Sequence, residues 1–437
     1  MKKAVWLLGA ALSLSLVTPA QEIKEKEVRR LVSTLAADDM EGRYPGTPGI
    51  EKAASFISDE FKQAGLSPLP GESSFLQKFN KYYIGVDNIS FKVNGKKKNW
   101  VVVPIGNSLR YDWVYNEDDY IILHIKDKTE LLKALRRTSD KNRLIWLDPS
   151  MAGYLSGLVA YYSEGVYESE DALNTAAENA KKGKQTVLVV EQSPVADGTP
   201  WEIHINRSAK TKEYANVAGM IKGKSKPDEY VVFSAHYDHL GILPVVAGDS
   251  IANGADDDAS GTTAVIMLSK YFSQQQPERS VIFVAFTAEE SGGYGSRYFS
   301  EQLDPDKVVA MFNIEMIGKE SKFGKNSAFI TGFERSDFGP ILQRNLQGSE
   351  FKFYPDPYPE QDLFYRSDNA TLAKKGVPAH SISTTQIDKD QFYHTVDDET
   401  ETLDTENITS IINAIAVSAS SIIKGTDTPT RIEKSNQ

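Results

Sequence analysis

Apolar residues recur along this chain in two periods, and the switching between them sets the expected architecture. Val28, Leu31, Val32 and Leu35 fall on one helix face within residues 22–40. Ala53, Ala54, Ile57 and Phe61 do the same in a second helical stretch, which Gly65 stops. Between them, Gly-Arg-Tyr-Pro-Gly-Thr-Pro-Gly at 42–49 is a turn-rich loop. From residue 216 onward, short apolar runs bounded by turn residues predict strands at 216–221, 230–235, 281–286, 308–314, 328–330 and 378–382. Helical spacing predicts helices at 262–272, 294–303, 338–346, 369–375 and 408–423. Continuous apolar strands alternating with helices point to a buried parallel sheet. The expected fold class is therefore α/β, with a mixed, mostly parallel central sheet flanked by helices.

Residues 86–214 read differently. Ile89, Phe91 and Val93 alternate up to Asn94-Gly95, and Trp100 to Val103 runs away again, which is a hairpin signal. Strands are expected at 120–125, 144–147 and 187–190, with a helical piece at 131–135. No cluster of ligand-type side chains lies here: His124 and His204 are isolated, and Tyr161, Tyr162 and Tyr167 suit packing. This region is expected to be an inserted α+β lid domain. It interrupts a discontinuous domain formed by 21–85 and 215–425, and 426–437 is expected to be a flexible tail.

Composition narrows the chemistry. Of 437 residues, 40% are hydrophobic and 25% charged, as in a soluble globular protein. The 49 basic residues against 60 acidic give a net charge of −11, which disfavours nucleic acid as a partner. There are 0 cysteines, so thiolate metal sites, cysteine nucleophiles and disulfides are excluded, and any zinc must rest on histidine and carboxylate. Lys2 and Lys3 precede an apolar run from Ala4 to Val17, and Thr18-Pro-Ala20 supplies a small residue before Gln21. That is the layout of a signal peptide over 1–20, without a cysteine for lipidation, so a periplasmic or secreted protein is expected. No later stretch reads as long and apolar enough to span a bilayer, so no stable membrane insertion is expected after signal removal.

The candidate chemistry sits where the predicted strands stop. The 230–235 run delivers His236, Asp238 and His239, and 281–286 delivers Glu289 and Glu290 ahead of Gly292 and Gly293. Gly-Ala-Asp-Asp-Asp-Ala-Ser-Gly at 254–261 opens a helix, Glu315 follows 308–314, and Tyr393-His394-Thr395 lies in the loop after 378–382. In open parallel sheets, ligands bind beyond the carboxyl ends of the strands. Imidazole and carboxylate groups converging from separate strand ends suit a divalent metal, and the candidate ligands are His236, Asp257, Glu290, Glu315 and His394. Successive side chains of an extended segment point to opposite faces, so Glu289 and Glu290 can divide the labour, one on metal and one as general base. Asp238 is placed to accept a hydrogen bond from the other ring nitrogen of His236. Two cations about 3.5–4 Å apart, bridged by a carboxylate and a water, would activate that water and polarise a carbonyl. Blander readings exist: an Asp run is usually a solvated turn, and a Glu pair is usually a helix start. His380, inside an apolar strand, suits the core, and His239 competes with His236 but lies past the strand end. The coincidence of the motifs, each after a strand, points to a metal-dependent hydrolase.

On these residues the sequence resembles the dizinc aminopeptidases of metallopeptidase family twenty-eight, relatives of glutamate carboxypeptidase and glutaminyl cyclase, over roughly 28–80 and 214–425. The resemblance implies a zinc-exopeptidase type of sheet and two zinc ions per chain. It implies His236, Asp257 and Glu315 on one zinc and Asp257, Glu290 and His394 on the other, with Asp238 behind His236 and Glu289 as general base for the zinc-activated water. Arg366-Ser-Asp368-Asn and Gly376-Val-Pro378 also match the family's segment before the last ligand. One departure is Glu315, where the family more often places aspartate; it keeps the charge but is one methylene longer, which alters the geometry of one site. Residues 86–214 match nothing comparable, although some relatives carry a protease-associated insertion. The implied activity is that of an exported aminopeptidase acting on peptides. A carboxypeptidase or dipeptidase on the same scaffold is the alternative. A glutaminyl cyclase or an inactive binding relative fits less well, because all the ligands and the base are present. The oligomeric state is left open.

Overall fold

The computed structural model of the chain describes residues 23–116, 118–154 and 165–435. The expected signal peptide, and Tyr161 and Tyr162, lie outside the described residues. The chain forms two compact units: residues up to Gln77 together with Ala215 onward, and Lys78–Tyr214.

The first unit begins with α1 (Glu25–Leu35), which buries Val28, Leu31, Val32 and Leu35 along one face. It stops earlier than its sequence window because Ala37 turns extended (φ −78°, ψ 149°); beyond it, 38–43 folds into a tight turn in which Glu41, Gly42 and Arg43 adopt left-handed φ values of 51°, 63° and 47°. α2 (Pro48–Gln63) starts on a proline in its first turn, where the missing N–H costs nothing. The sheet is built from the end of β1 (Trp201–Ile221), β2 (Lys226–His236), β3 (Arg279–Phe286), β4 (Val308–Ile314), β5 (Ser327–Ile330), β6 (Lys352–Pro355) and β7 (Ala379–Ser383). Its order is β6-β5-β7-β4-β2-β3-β1. The central strands β7, β4, β2 and β3 are mutually parallel, whereas β1 and β5 join antiparallel. The mixed, mostly parallel α/β sheet expected from the pattern is the one observed.

Strand alternation divides the core into two layers. Val231, Phe233, Ala235, Val281, Phe283 and Ala285 pack into one apolar cluster with α1, α2 and the helix α3 (Gly261–Ser273). Val232, Ile282, Val284 and Phe286 pack into another with α4 (Tyr294–Gln302) and α5 (Asn369–Ala373). β2 and β3 are therefore buried on both faces, which is why they read as unbroken apolar runs. One expectation changes. Thr405–Ile423 is long and apolar enough, by length and composition alone, to cross a membrane. Ile408, Ile411, Ile412 and Ile415 of that stretch are buried in the first apolar cluster, so it serves as a core helix.

In the second unit, strands Val102–Ile105, Thr186–Val190, Asn142–Leu147 and Tyr120–Ile125 make a four-stranded sheet. Asp127 and Ser169 cap the helices Lys128–Arg136 and Glu170–Ala180 by accepting backbone N–H groups. The hairpin at Asn94-Gly95 forms, with Val93 opposite Lys96 and both turn residues at positive φ. Its return arm is short, however, because Val102–Ile105 pairs with Thr186–Val190 instead. Phe91, Trp113, Trp146 and Trp201 fill the core beside this sheet.

Candidate metal centre

β2 ends at His236, and the carbonyl of this residue accepts the hydroxyl of Thr262 from α3. The ring Nδ1–H donates to the backbone carbonyl of Asp238 at 3.1 Å. This corrects the sequence reading, because the Asp238 carboxylate is 3.8 Å from Nδ1 and accepts the backbone N–H of Glu289 instead. Residue 238 still fixes the ring, through its main chain. That leaves Nε2 facing Asp257 Oδ1 at 3.2 Å and Glu315 Oε1 at 3.4 Å.

Asp257 sits in the strap Ala255–Ser260 and is buried. Its neighbours are committed elsewhere. Asp258 accepts the N–H groups of His236, Gly261 and Met316, and Asp256 accepts that of Gly318. Asp257 alone in the strap turns one oxygen to each side: Oδ1 toward His236, and Oδ2 toward His394 Nε2 at 3.2 Å. The strap is held from behind by Asp398, which accepts the N–H groups of Asp256 and Asp257, and by the buried guanidinium of Arg43. Arg43 donates to the carbonyls of Leu35, Tyr237, Asn253 and Gly254.

Glu289 and Glu290 follow β3 in a turn, not in the extended segment expected, because Ala288 takes a φ of 58°. The turn still separates the two carboxylates. Glu290 Oε1 lies 3.1 Å from His394 Nε2 and 3.1 Å from His239 Nδ1. Glu289 lines a cavity of about 210 Å³ together with Asp257, Glu290 and Glu315. Met316, Phe329, Leu363, Ile387 and Tyr393 form its apolar wall, and Arg366, Ser381 and Ser383 complete it. Ser367 donates its hydroxyl to Glu315 Oε2 at 2.6 Å, orienting the longer side chain at this position.

The electrostatics are those of a crowded anionic site. Burial opposes a charged His236, but the charge of Glu315 and the hydrogen bonds to Asp257 and Glu315 overcome it and raise its pKa well above the ordinary value. Burial also opposes a charged His394, and Asp257 and Glu290 push its pKa up to about 10. Burial, followed by the charges of Asp368, Glu315 and Glu290, pushes Glu289 well above the carboxylate range. Burial raises Asp238 to about 7.

The donor set fits divalent zinc. Two clusters have ligand atoms within 4.8 Å of one another: His236, Asp258 and Glu315, and His239, Asp257 and Glu290. His394 Nε2 is buried and makes no aligned hydrogen bond although two carboxylates stand beside it, as expected of atoms converging on a shared cation. All the sequence-derived candidates meet here: His236, Asp257, Glu315, Glu290, His394, Glu289 and Asp238. His380 stays in the core, between the Thr331 carbonyl and the Ser336 hydroxyl. Sequence reasoning assigned no role to Arg43 and Asp398, which lie in loops with no local signal of their distant contacts, and it quoted Ser367 only as part of the Arg366-Ser-Asp368-Asn segment. It also placed His239 as a rival of His236, whereas the fold carries it to Glu290.

Residues 216–419 match the family model described as peptidase family M28. A probable zinc metalloprotease of the fungus Leptosphaeria maculans is 29% identical over 143 residues, a stretch covering 32% of this chain and 31% of that relative. The matched stretch is thus under a third of that relative's length. Among solved structures, the zinc aminopeptidase of Bacillus subtilis has a similar fold, with a TM-score of 0.57, 14% identity, and 93% of this chain and 97% of that one covered. The aminopeptidase of Aneurinibacillus sp. strain AM-1 is similar with a TM-score of 0.53 and 16% identity, covering 94% of this chain and 95% of that one.

Proposed function

We propose, from the match of residues 216–419 to the model of peptidase family M28, that this chain is a zinc-dependent aminopeptidase that binds two zinc ions and removes amino-terminal residues from peptides. The observation that carries this reading is the two-sided carboxylate of Asp257, with His236 on one side and His394 on the other, each at 3.2 Å. Asp257 would be shared, with His236 and Glu315 completing one zinc site and Glu290 and His394 the other. When bound, zinc acidifies water and polarises a carbonyl. Glu289 lies in the same cavity and is not drawn into either ligand cluster. Its carboxylate can take a proton from the attacking water and return it to the leaving amine. The apolar wall of Met316, Phe329, Leu363 and Ile387 would receive the side chain of the terminal residue. Two fold neighbours that carry the name aminopeptidase support the exopeptidase part of the reading. Export is proposed on the basic and apolar run of residues 2–20.

The test is hydrolysis of amino-free and N-acetylated peptides before and after chelation. Cleavage of the free peptides alone, lost on chelation and restored by zinc, is expected. Cleavage of the blocked peptides would favour a carboxypeptidase, and activity undiminished by exhaustive chelation would overturn the zinc mechanism.

A further inference from the structure

His239 is not used by the two zinc sites proposed above, yet it stands inside one of them. Its side chain is 0% exposed. Nδ1 lies 3.1 Å from Glu290 Oε1 and 3.9 Å from Asp257 Oδ2, and its ring meets that of His394 edge-on at 5.9 Å between centroids. The ring cannot swing away on one side. A Cβ added to Gly254 would come within 2.5 Å of its Cγ, so glycine at 254 allows the strap to press flat against the imidazole. The backbone is fixed as well, because the His239 N–H donates to the carbonyl of Arg43 at 3.2 Å.

The two ring nitrogens differ in what they can do. An ionised Glu290 only accepts, so the proton of a neutral imidazole belongs on Nδ1, where it is donated to Oε1. Nε2 then carries a lone pair and needs no acceptor, consistent with its having no hydrogen-bond partner. If Nδ1 were a zinc ligand, the proton would move to Nε2 and become a buried donor with nothing to receive it, which carries the full desolvation penalty of that group. Ligating histidines ordinarily give that second N–H to a carbonyl or carboxylate, and none stands beside Nε2.

We infer that His239 is a positioning residue: it donates Nδ1–H to Glu290 and holds that carboxylate facing the cation shared with Asp257 and His394. The need for such a group is local. His394 comes from a loop and is 35% exposed, so Glu290 must be fixed by something other than its opposite ligand. The inference rests on the reading of Glu290 as a zinc ligand.

The experiment compares the full-length wild type with His239→Ala, His239→Asn and His239→Gln. Zinc affinity is measured by competition with a chromophoric chelator, and site symmetry by the visible spectrum of the cobalt-loaded protein. Asn places an amide N–H close to the position of Nδ1, whereas Gln carries its amide out to the position of Nε2. The second zinc of His239→Ala and of His239→Gln should bind about 10–100-fold more weakly. His239→Asn should recover most of that loss and keep the wild-type cobalt spectrum. If Ala fails to fold, Gln serves as the deficient variant. A wild type holding two zincs with unaltered Ala and Gln variants would overturn this inference alone. An Asn variant as weak as Ala, with a changed cobalt spectrum, would overturn it in favour of direct ligation. A wild type that takes up no zinc would remove the peptidase reading and this inference together.

Discussion

The carboxylate of Asp398 accepts the backbone N–H of Asp257 at 3.1 Å, reaching it across 141 residues of chain. The same carboxylate accepts the N–H of Asp256, so a loop residue pins the strap that aims Asp257 at both histidines. Asp398→Ala would leave two buried N–H groups without an acceptor, each worth about 1–3 kcal/mol. We expect a loss of about 2–6 kcal/mol in urea unfolding, together with weaker zinc binding. Asp398→Asn, which keeps one acceptor oxygen, should lose less. Equal stability of the alanine variant and wild type would show that the strap holds itself.

Glu289→Gln removes the proposed base while leaving both ligand clusters in place. Turnover should fall by about 10²–10⁴-fold, with zinc content per chain unchanged by elemental analysis. Activity within a few-fold of wild type would free Glu289 of that role.

His394→Ala takes away the imidazole whose Nε2 lies 3.2 Å from Asp257 Oδ2 and 3.1 Å from Glu290 Oε1. Zinc stoichiometry should fall from two toward one. An unaltered stoichiometry would mean that the second cluster closes without it.

His380 supplies a prediction away from the metals. Its Nδ1–H donates to the Thr331 carbonyl and its Nε2 accepts from Ser336, so the folded protein holds it neutral. Burial lowers its pKa from 6.5 to about 4. A depressed folded pKa means that the unfolded chain binds the proton first, so the stability contributed is complete above pH 6.5 and is lost as pH falls toward 4. This group alone should cost about 2 kcal/mol between pH 7 and pH 5. In urea unfolding, His380→Asn should therefore show the shallower decline over that range. Parallel declines would indicate that His380 is not neutral in the folded state.

What the sequence disclosed follows from the range over which each signal acts. Val231 to Ala235 and Val281 to Phe286 are buried on both faces, so their period and length are local properties, and the ligands at their ends could be read off in order. The turn at Glu289 was not legible, because nothing in Ala288 announces a left-handed φ of 58°. The position of His239 was not legible for a related reason: the chain leaves the strand after His236, as expected, and strand alternation says nothing about where residue 239 then points. Arg43 and Asp398 act on partners far away in sequence, and a lone polar residue in a loop carries no mark of such a contact. The Asp238 reading named the right residue but the wrong group, since a main-chain carbonyl at two residues' distance is as available as a side chain.

His236, Glu289, Glu290 and Glu315 follow β2, β3 and β4, three adjacent strands in the middle of the sheet, whereas His394 and its neighbours in the cavity wall, Leu363, Ile387 and Tyr393, come from connections outside it, and Asp257 comes from the strap ahead of α3. A change in the connections alters which guest is admitted and leaves the scaffold intact, while a change at the strand ends disturbs the part of the molecule least able to absorb it.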